Sequence, residues 1–148
     1  MKYGSQLMKE FCALVMIVLL LAACSEQPDV FYQNAETGRW YSKDQLLAGR
    51  KLFRDNCAQC HGKRGEGAVR WNKPDAQGLY PPPPLNGSAH SWHHPYQQLY
   101  KTISEGSGGR MPAWSEQLNE QQIAAVMAYF QSLWPEQAYE RWLNRHRR

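Results

Sequence analysis

Cysteine is scarce in this sequence, and its distribution excludes most of the sites that cysteine builds. The 148 residues contain four cysteines, at positions 12, 24, 57 and 60, and none follows Cys60. A zinc ribbon needs a second C-x-x-C or a Cys/His pair at ligand spacing, and no later cysteine is available to supply one. A disulfide framework is excluded as well, because the first two cysteines belong to a targeting segment.

Long apolar runs are also missing. The apolar run from Phe11 to Leu21 has eleven residues, whereas a helix that spans a bilayer needs about 20. Lys2 and Lys9 precede it, which is typical of an export signal rather than of a membrane span.

The end of this segment, Leu21-Ala22-Ala23-Cys24, resembles the lipobox of bacterial lipoproteins. The resemblance implies cleavage before Cys24 and a lipid on the Cys24 side chain. Ordinary cleavage nearby, with Cys24 unmodified, is the alternative. We therefore expect a signal peptide at 1–23, a polar tether at 24–40 and one domain at 41–148 that ends in a short basic extension.

Charge of one sign is not concentrated anywhere in the domain. The formal net charge is +4, and basic residues are scattered except for the tail Arg145-His146-Arg147-Arg148. Nucleic-acid-binding domains usually carry a basic patch or stripe, so no nucleic-acid partner is expected. The tail is compatible with acidic partners, with anionic lipid, or with a simple solvated end.

The segments with clear periodicity are all helical. Ser42 and Gln45 have the spacing of a capping box, which predicts a helix over about 43–57 with Leu46, Gly49 and Phe53 on one face. The other predicted helices run from Pro95 to Gly106, from Asn119 to about Trp134, and briefly after Pro135. We expect an all-α fold with about three to five helices.

Cys57-Ala58-Gln59-Cys60-His61 reads as C-x-x-C-H, a c-type haem attachment site. On a helical turn the two thiols and the imidazole share one face, so two thioether bonds and one iron ligand can serve the same porphyrin. C-x-x-C also occurs in thioredoxin-like sites, but the flanks show no strand-rich βαβ pattern. One covalently bound haem c is the cofactor expected.

Residues 62–95 are rich in glycine and proline and have no periodicity. A loop of this length is unusual in a compact domain unless it packs on something, and a haem provides a large apolar surface. The side chains that we expect as its walls are Leu79, Leu85, Trp71 and Trp92.

Met111 is the best candidate for a second iron ligand. It follows a glycine-rich turn and precedes Pro112, so its thioether can approach from a segment that is not helical. Met127 lies on the apolar face of a predicted helix and is expected in the core. The histidines at 90, 93 and 94 are further candidates for haem or copper, or else cap the next helix, contact a propionate or face solvent.

With these features the chain resembles a class I mono-haem cytochrome c from about Tyr41 to Trp134. The resemblance rests on four ordered elements: Gly49 and Phe53 before C-x-x-C-H-G, the segment Pro83-Pro84-Leu85-Asn86-Gly87 as P-x-L-x-G, Met111-Pro112, and Val126 with Tyr129 in the last family helix. It implies the cytochrome c fold, in which the first and last helices cross.

The resemblance also implies roles for individual residues. Gly49 and Phe53 should meet Val126 and Tyr129 at the helix crossing. The carbonyl of Pro83, or of Pro84 if the register shifts, should accept the Nδ1 proton of His61. Leu85 should pack on the haem, and His61 and Met111 should ligate its iron. Propionate partners do not carry over, and Arg110, Trp71, Trp92 and Trp114 are only candidates for them.

The function implied is electron transfer. We expect a lipid-anchored periplasmic carrier that passes single electrons between a donor and an acceptor protein and has no small-molecule substrate. Three alternatives stay open: an electron-input subunit of a larger oxidoreductase complex, a haem enzyme or gas sensor with an open sixth site, and a copper-handling role for the histidine cluster.

Overall fold

The computed structural model describes residues 33–108 and 110–146, and this part of the chain is helical. Its α-helices are Lys43–Asn56 (α1), Ala58–His61 (α2), Tyr96–Glu105 (α3), Glu120–Ser132 (α4) and Glu136–His146 (α5), with a 3₁₀ turn at Ser91–His93. Within the described ranges there is no β-sheet, only an isolated bridge between Ser107 and Met111. The all-α prediction is therefore confirmed. The predicted signal peptide and Cys24 lie outside the described residues.

Helix α1 begins at the capping box that the sequence predicts. The Gln45 N–H donates to Ser42 Oγ at 3.2 Å, and the Ser42 N–H donates to Gln45 Oε1 at 3.0 Å. Each bond satisfies a backbone donor that has no partner within the helix. The helix ends at Asn56, one residue before the predicted end, although the Cys57 N–H still donates to Phe53 O.

Helices α1 and α4 cross at Gly49. A Cβ at this position would lie 1.8 Å from the carbonyl oxygen of Ala125 and 3.2 Å from Cβ of Tyr129. Four residues later the Phe53 ring lies 5.1 Å from the Tyr129 ring, centroid to centroid, and Val126 is buried. The predicted crossing is confirmed, and glycine is required there because the two backbones approach closely.

Helix α4 is the centre of the domain. It carries a second capping box, in which Asn119 and Gln122 exchange hydrogen bonds of 2.9 Å, and most of its apolar residues are buried. Met127 is fully buried, so its predicted place in the core is confirmed. Helix α5 contributes further large buried side chains, Tyr139, Trp142 and Leu143.

The packed part of the chain begins before residue 41, earlier than the predicted end of the tether. Arg39 Nη1 donates to the Gln131 carbonyl at 2.6 Å, and Trp40 Nε1 donates to Gln131 Oε1 at 2.5 Å. Gln131 lies in the last turn of α4, where backbone carbonyls such as the one that accepts from Arg39 lack partners within the helix. Arg39 and Trp40 therefore belong to the domain.

Within residues 33–108 and 110–146, no helix is both long enough and apolar enough to cross a bilayer.

Gly49→Ala tests the crossing. We expect a loss of roughly 1–3 kcal/mol in the free energy of unfolding, because the added methyl group must push α1 away from α4. This loss appears although alanine favours an isolated helix by about 1 kcal/mol. Denaturant unfolding of the purified protein measures it. Arg50→Ala, at the neighbouring exposed position, is the control and should change stability by no more than about 0.5 kcal/mol; equal stability of both variants would contradict the crossing.

Candidate haem site

The C-x-x-C-H residues form one helical turn at the end of α1. Cys57 closes α1 and precedes α2, and its carbonyl accepts from the N–H groups of Cys60 at 3.1 Å and His61 at 2.9 Å. Side chains three and four residues apart on such a turn share a face. Neither Cys57 nor Cys60 is in a disulfide, so both thiols are free to react with one group.

The environment of Cys57 does not suit a reactive or metal-binding thiolate. Burial, with a smaller contribution from Cys60, raises the pKa of the Cys57 thiol to about 11. Redox-active and metal-binding cysteines depend on a lowered pKa. The Cys57 thiol thus lacks the lowered pKa that is typical of redox-active cysteines.

His61 is held in the form that binds a metal. Its side chain is buried, and its Nδ1 lies 3.0 Å from the carbonyl oxygen of Pro83. A carbonyl can only accept a hydrogen bond, so Nδ1 carries the proton and Nε2 keeps its lone pair. Burial lowers the pKa of His61, against the opposing effect of the Pro83 contact, and this favours the neutral ring. The carbonyl involved is that of Pro83, not of Pro84.

Two short backbone segments bring Pro83 to His61. The Gly67 N–H donates to the His61 carbonyl at 2.8 Å, the Ala68 N–H donates to Pro82 O at 2.9 Å, and the Leu85 N–H donates to Gly65 O at 2.7 Å. Gly67 has φ +71°, and a Cβ there would lie 2.4 Å from Pro84 N and 2.6 Å from the Pro83 carbonyl carbon. Glycine is thus required where the loop passes the prolines.

Met111 sits in a turn that returns to the end of α3. Gly106 ends the helix with φ +81°, and Ser107 and Met111 exchange backbone hydrogen bonds of 3.1 and 3.4 Å. Trp114 then donates its N–H to the Ile103 carbonyl at 3.1 Å. The half-buried Met111 side chain packs against the buried core.

The residues present fit a haem c. Cys57, Leu85 and Met111 pack against the same buried core, as do Trp92 and Trp114. The donor set therefore contains two unpaired thiols for covalent attachment, an imidazole with a free Nε2 and a thioether. Imidazole with thioether is an established ligand pair for haem iron in cytochromes c.

Two side chains that the sequence offered as haem contacts have other partners. Arg110, a candidate propionate partner, forms an ion pair with Asp75. Trp71, a candidate wall, lies against His90 with ring centroids 5.4 Å apart. Leu85 and Trp92 pack against the buried core, and their place at the haem stays a prediction.

The histidine cluster does not cap the next helix. Pro95 is the N-cap of α3, and no side chain donates or accepts a capping hydrogen bond there. The rings of His90 and His94 are 5.4 Å apart, and that of His93 lies on Trp92. Across residues 33–108 and 110–146, no group of three or more His, Cys, Asp or Glu side chains is arranged to hold a metal ion.

Sequence reasoning missed two hydrogen bonds that join α4, and the second residue after it, to the segments that follow His61 and Pro83. Trp134 Nε1 donates to the Leu85 carbonyl at 2.8 Å, and Tyr129 Oη donates to the Lys63 carbonyl at 3.2 Å. The available signal was chemical: an aromatic side chain with a polar atom usually finds a partner when buried.

Comparison with known proteins agrees with this geometry. Residues 44–130 match the family described as cytochrome c oxidase, cbb3-type, subunit III. A cbb3-type cytochrome c oxidase subunit CcoP of Rhodobacter capsulatus is 36% identical over 107 residues, which is 66% of this chain and 32% of that protein. The subunit FixP of Bradyrhizobium diazoefficiens is 36% identical over 85 residues, 57% of this chain and 26% of that protein.

This chain thus spans about a third of the length of the curated relatives that it matches. Among solved structures, cytochrome cL from Methylophaga aminisulfidivorans aligns with a TM-score of 0.52 and 22% identity, covering 68% of this chain and 61% of that one. At this identity the likeness establishes the fold and nothing more.

Gly67→Ala tests the path that brings Pro83 to His61. Gly78→Ala is the matched control, because its φ is +77° but a Cβ there meets nothing within 4 Å. Both variants carry the strain of alanine at positive φ, about 1–2 kcal/mol. We expect Gly67→Ala to lose roughly 1–3 kcal/mol more, since it also displaces the proline backbone. Denaturant unfolding checks this, and equal losses would show that the loop does not depend on the close approach.

Proposed function

Because this chain belongs to the family described as cytochrome c oxidase, cbb3-type, subunit III, we propose that its domain transfers single electrons through one haem c. The observation that carries the proposal is the state of His61. Its Nδ1 proton is committed to Pro83, and its Nε2 is left as a ligand on the turn that carries two free thiols.

Each site residue has one task in this proposal. Cys57 and Cys60 hold the haem through two thioether bonds, and His61 Nε2 and Met111 Sδ ligate the iron. When bound, the haem supplies an iron centre that accepts and releases one electron. Pro83 fixes the orientation of the His61 ring and increases its basicity as a ligand. Leu85 and the neighbouring aromatic side chains exclude water from the haem.

The ligand pair determines the direction of the reduction potential. A thioether stabilises ferrous over ferric iron, so a Met/His pair raises the potential relative to two imidazoles. If His61 and Met111 both ligate the iron, no coordination position would remain open to a small molecule. We propose an electron carrier rather than an enzyme, with a donor protein and an acceptor protein as its partners.

We further propose that the carrier faces the bacterial periplasm and is anchored to a membrane through a lipid on Cys24. The support is the sequence Leu21-Ala22-Ala23-Cys24 after an apolar run. Haem c attachment through C-x-x-C-H and an export signal are both features of an exported chain, so the two motifs support each other.

The relatives favour a second candidate, an electron-input subunit of a larger oxidase. The matched proteins are named as subunits of cbb3-type cytochrome c oxidase. Purification from membranes in mild detergent distinguishes the two. A cytochrome c oxidase that co-purifies in stoichiometric amount supports the subunit, whereas isolation of the domain alone supports a free carrier.

Met111→Ala tests the closed sixth site against the enzyme or sensor alternative. The ferric wild-type protein should show the weak absorption band at the red end of the visible spectrum that marks a sulfur–iron bond. Met111→Ala should lose this band, become high-spin and bind exogenous ligands, because alanine leaves the sixth position without its thioether. Met127→Leu is the control, as this buried methionine should leave the band intact. A high-spin wild type that Met111→Ala does not alter would contradict electron transfer by a closed haem.

Cys24→Ser tests the anchor. We expect the exported wild-type protein to partition into the detergent phase and the variant to stay in the aqueous phase, because the variant has no thiol for lipid attachment. Cys12→Ser is the control, since the residue lies within the segment that we expect to be removed. Aqueous partitioning of the wild type would exclude the lipid anchor.

A further inference from the structure

Arg110, the residue immediately before Met111, forms an ion pair with Asp75. The two residues are 35 positions apart and belong to different loops: Asp75 to the loop that follows C-x-x-C-H, and Arg110 to the turn after α3. The contact therefore links the Met111 turn to the rest of the site by a long-range interaction.

The Asp75 side chain is fixed by hydrogen bonds within its own turn. Its Oδ1 accepts hydrogen bonds from the N–H groups of Gln77 and Leu79, both at 2.9 Å. The Asp75 N–H donates to the Leu79 carbonyl at 2.9 Å, and its own carbonyl accepts from Gly78. One carboxylate oxygen thus organises a tight turn, and the other, Oδ2, faces Arg110. Little side-chain entropy remains to be lost on pairing at the Asp75 end.

The described residues of the Met111 turn make few backbone hydrogen bonds to the rest of the domain before Trp114. Gly106 and Gly108 both have positive φ, and Pro112 and Ala113 are exposed. Of the two backbone bonds between Ser107 and Met111, one is long at 3.4 Å. The next firm anchor along the chain is Trp114, bound to the end of α3. A turn of this composition opens easily unless something outside it holds it.

We propose that the Asp75–Arg110 pair keeps the Met111 turn closed over the haem and so sets how often the Met111 thioether leaves the iron. The inference rests on the proposed function, since it takes Met111 as the second ligand. Asp75 and Arg110 are positioning residues, because they act on the iron through Met111. The side chains are partly exposed, 23% for Asp75 and 45% for Arg110, so salt weakens the pair.

The experiment is the replacement of Met111 by imidazole on the ferric, haem-loaded protein, followed by stopped-flow absorbance. At saturating imidazole the rate is limited by departure of the thioether, so it reports opening of the turn. Arg110→Gln and Asp75→Asn should each raise this rate roughly two- to fivefold, the range of a partly exposed ion pair. Asparagine keeps the oxygen that Gln77 and Leu79 require, so the Asp75 turn stays formed.

Three controls separate this role from a general effect. Lys51→Gln removes the same charge from an exposed ion pair with Asp55 in α1 and should leave the rate unchanged. Arg110→Lys keeps the charge and should return most of the wild-type rate. Raising the salt concentration should speed replacement in the wild type and have little effect in Arg110→Gln.

The outcomes distinguish the inference from the function on which it rests. If the wild type shows the sulfur–iron band and Arg110→Gln and Asp75→Asn react no faster than Lys51→Gln, the pair does not hold the turn, and Met111 ligation stands. If the wild-type ferric protein lacks the band, Met111 is not the ligand, and both proposals fail.

Discussion

The hydrogen bond between His61 Nδ1 and the Pro83 carbonyl is the interaction on which the rest of the site depends. A free imidazole can carry its proton on either nitrogen and can rotate about its side-chain bonds. Pairing of Nδ1 with a carbonyl restricts both and leaves the lone pair of Nε2 available for a metal. The burial of His61 strengthens this, because it disfavours the charged ring.

That single contact is supported by the architecture of the whole domain. Close approach at Gly49 brings α4 against α1, and α1 ends in the turn that carries His61. The Tyr129 side chain, at the crossing, donates to the chain two residues after His61, and Trp134 donates to the loop that holds Pro83. Helix packing and site geometry thus depend on the same few residues. A substitution that disrupts the crossing is therefore expected to alter the geometry of the site.

Local sequence patterns predicted most of the fold, but they did not predict the long-range polar contacts. The capping box at Ser42, the apolar face around Met127 and the place of Gly49 on the apolar face of its helix each depend on residues three or four apart, which a sequence displays directly. The Pro83 contact was reached only through family resemblance, and four consecutive prolines left its register open. The pairing of Arg110 with Asp75 joins two loops without periodicity, and nothing in either segment identifies the other. Arg39 and Trp40 depend likewise on a residue about 90 positions away, since they donate to the backbone carbonyl and the side-chain oxygen of Gln131.

The most direct test of this account is mass spectrometry of the proteolytic fragment that contains Cys57 and Cys60, taken from protein exported by a host that attaches haem. The account predicts a fragment heavier by one haem, from a coloured protein whose spectrum changes on reduction. A colourless protein whose fragment has the mass of the bare peptide would contradict it.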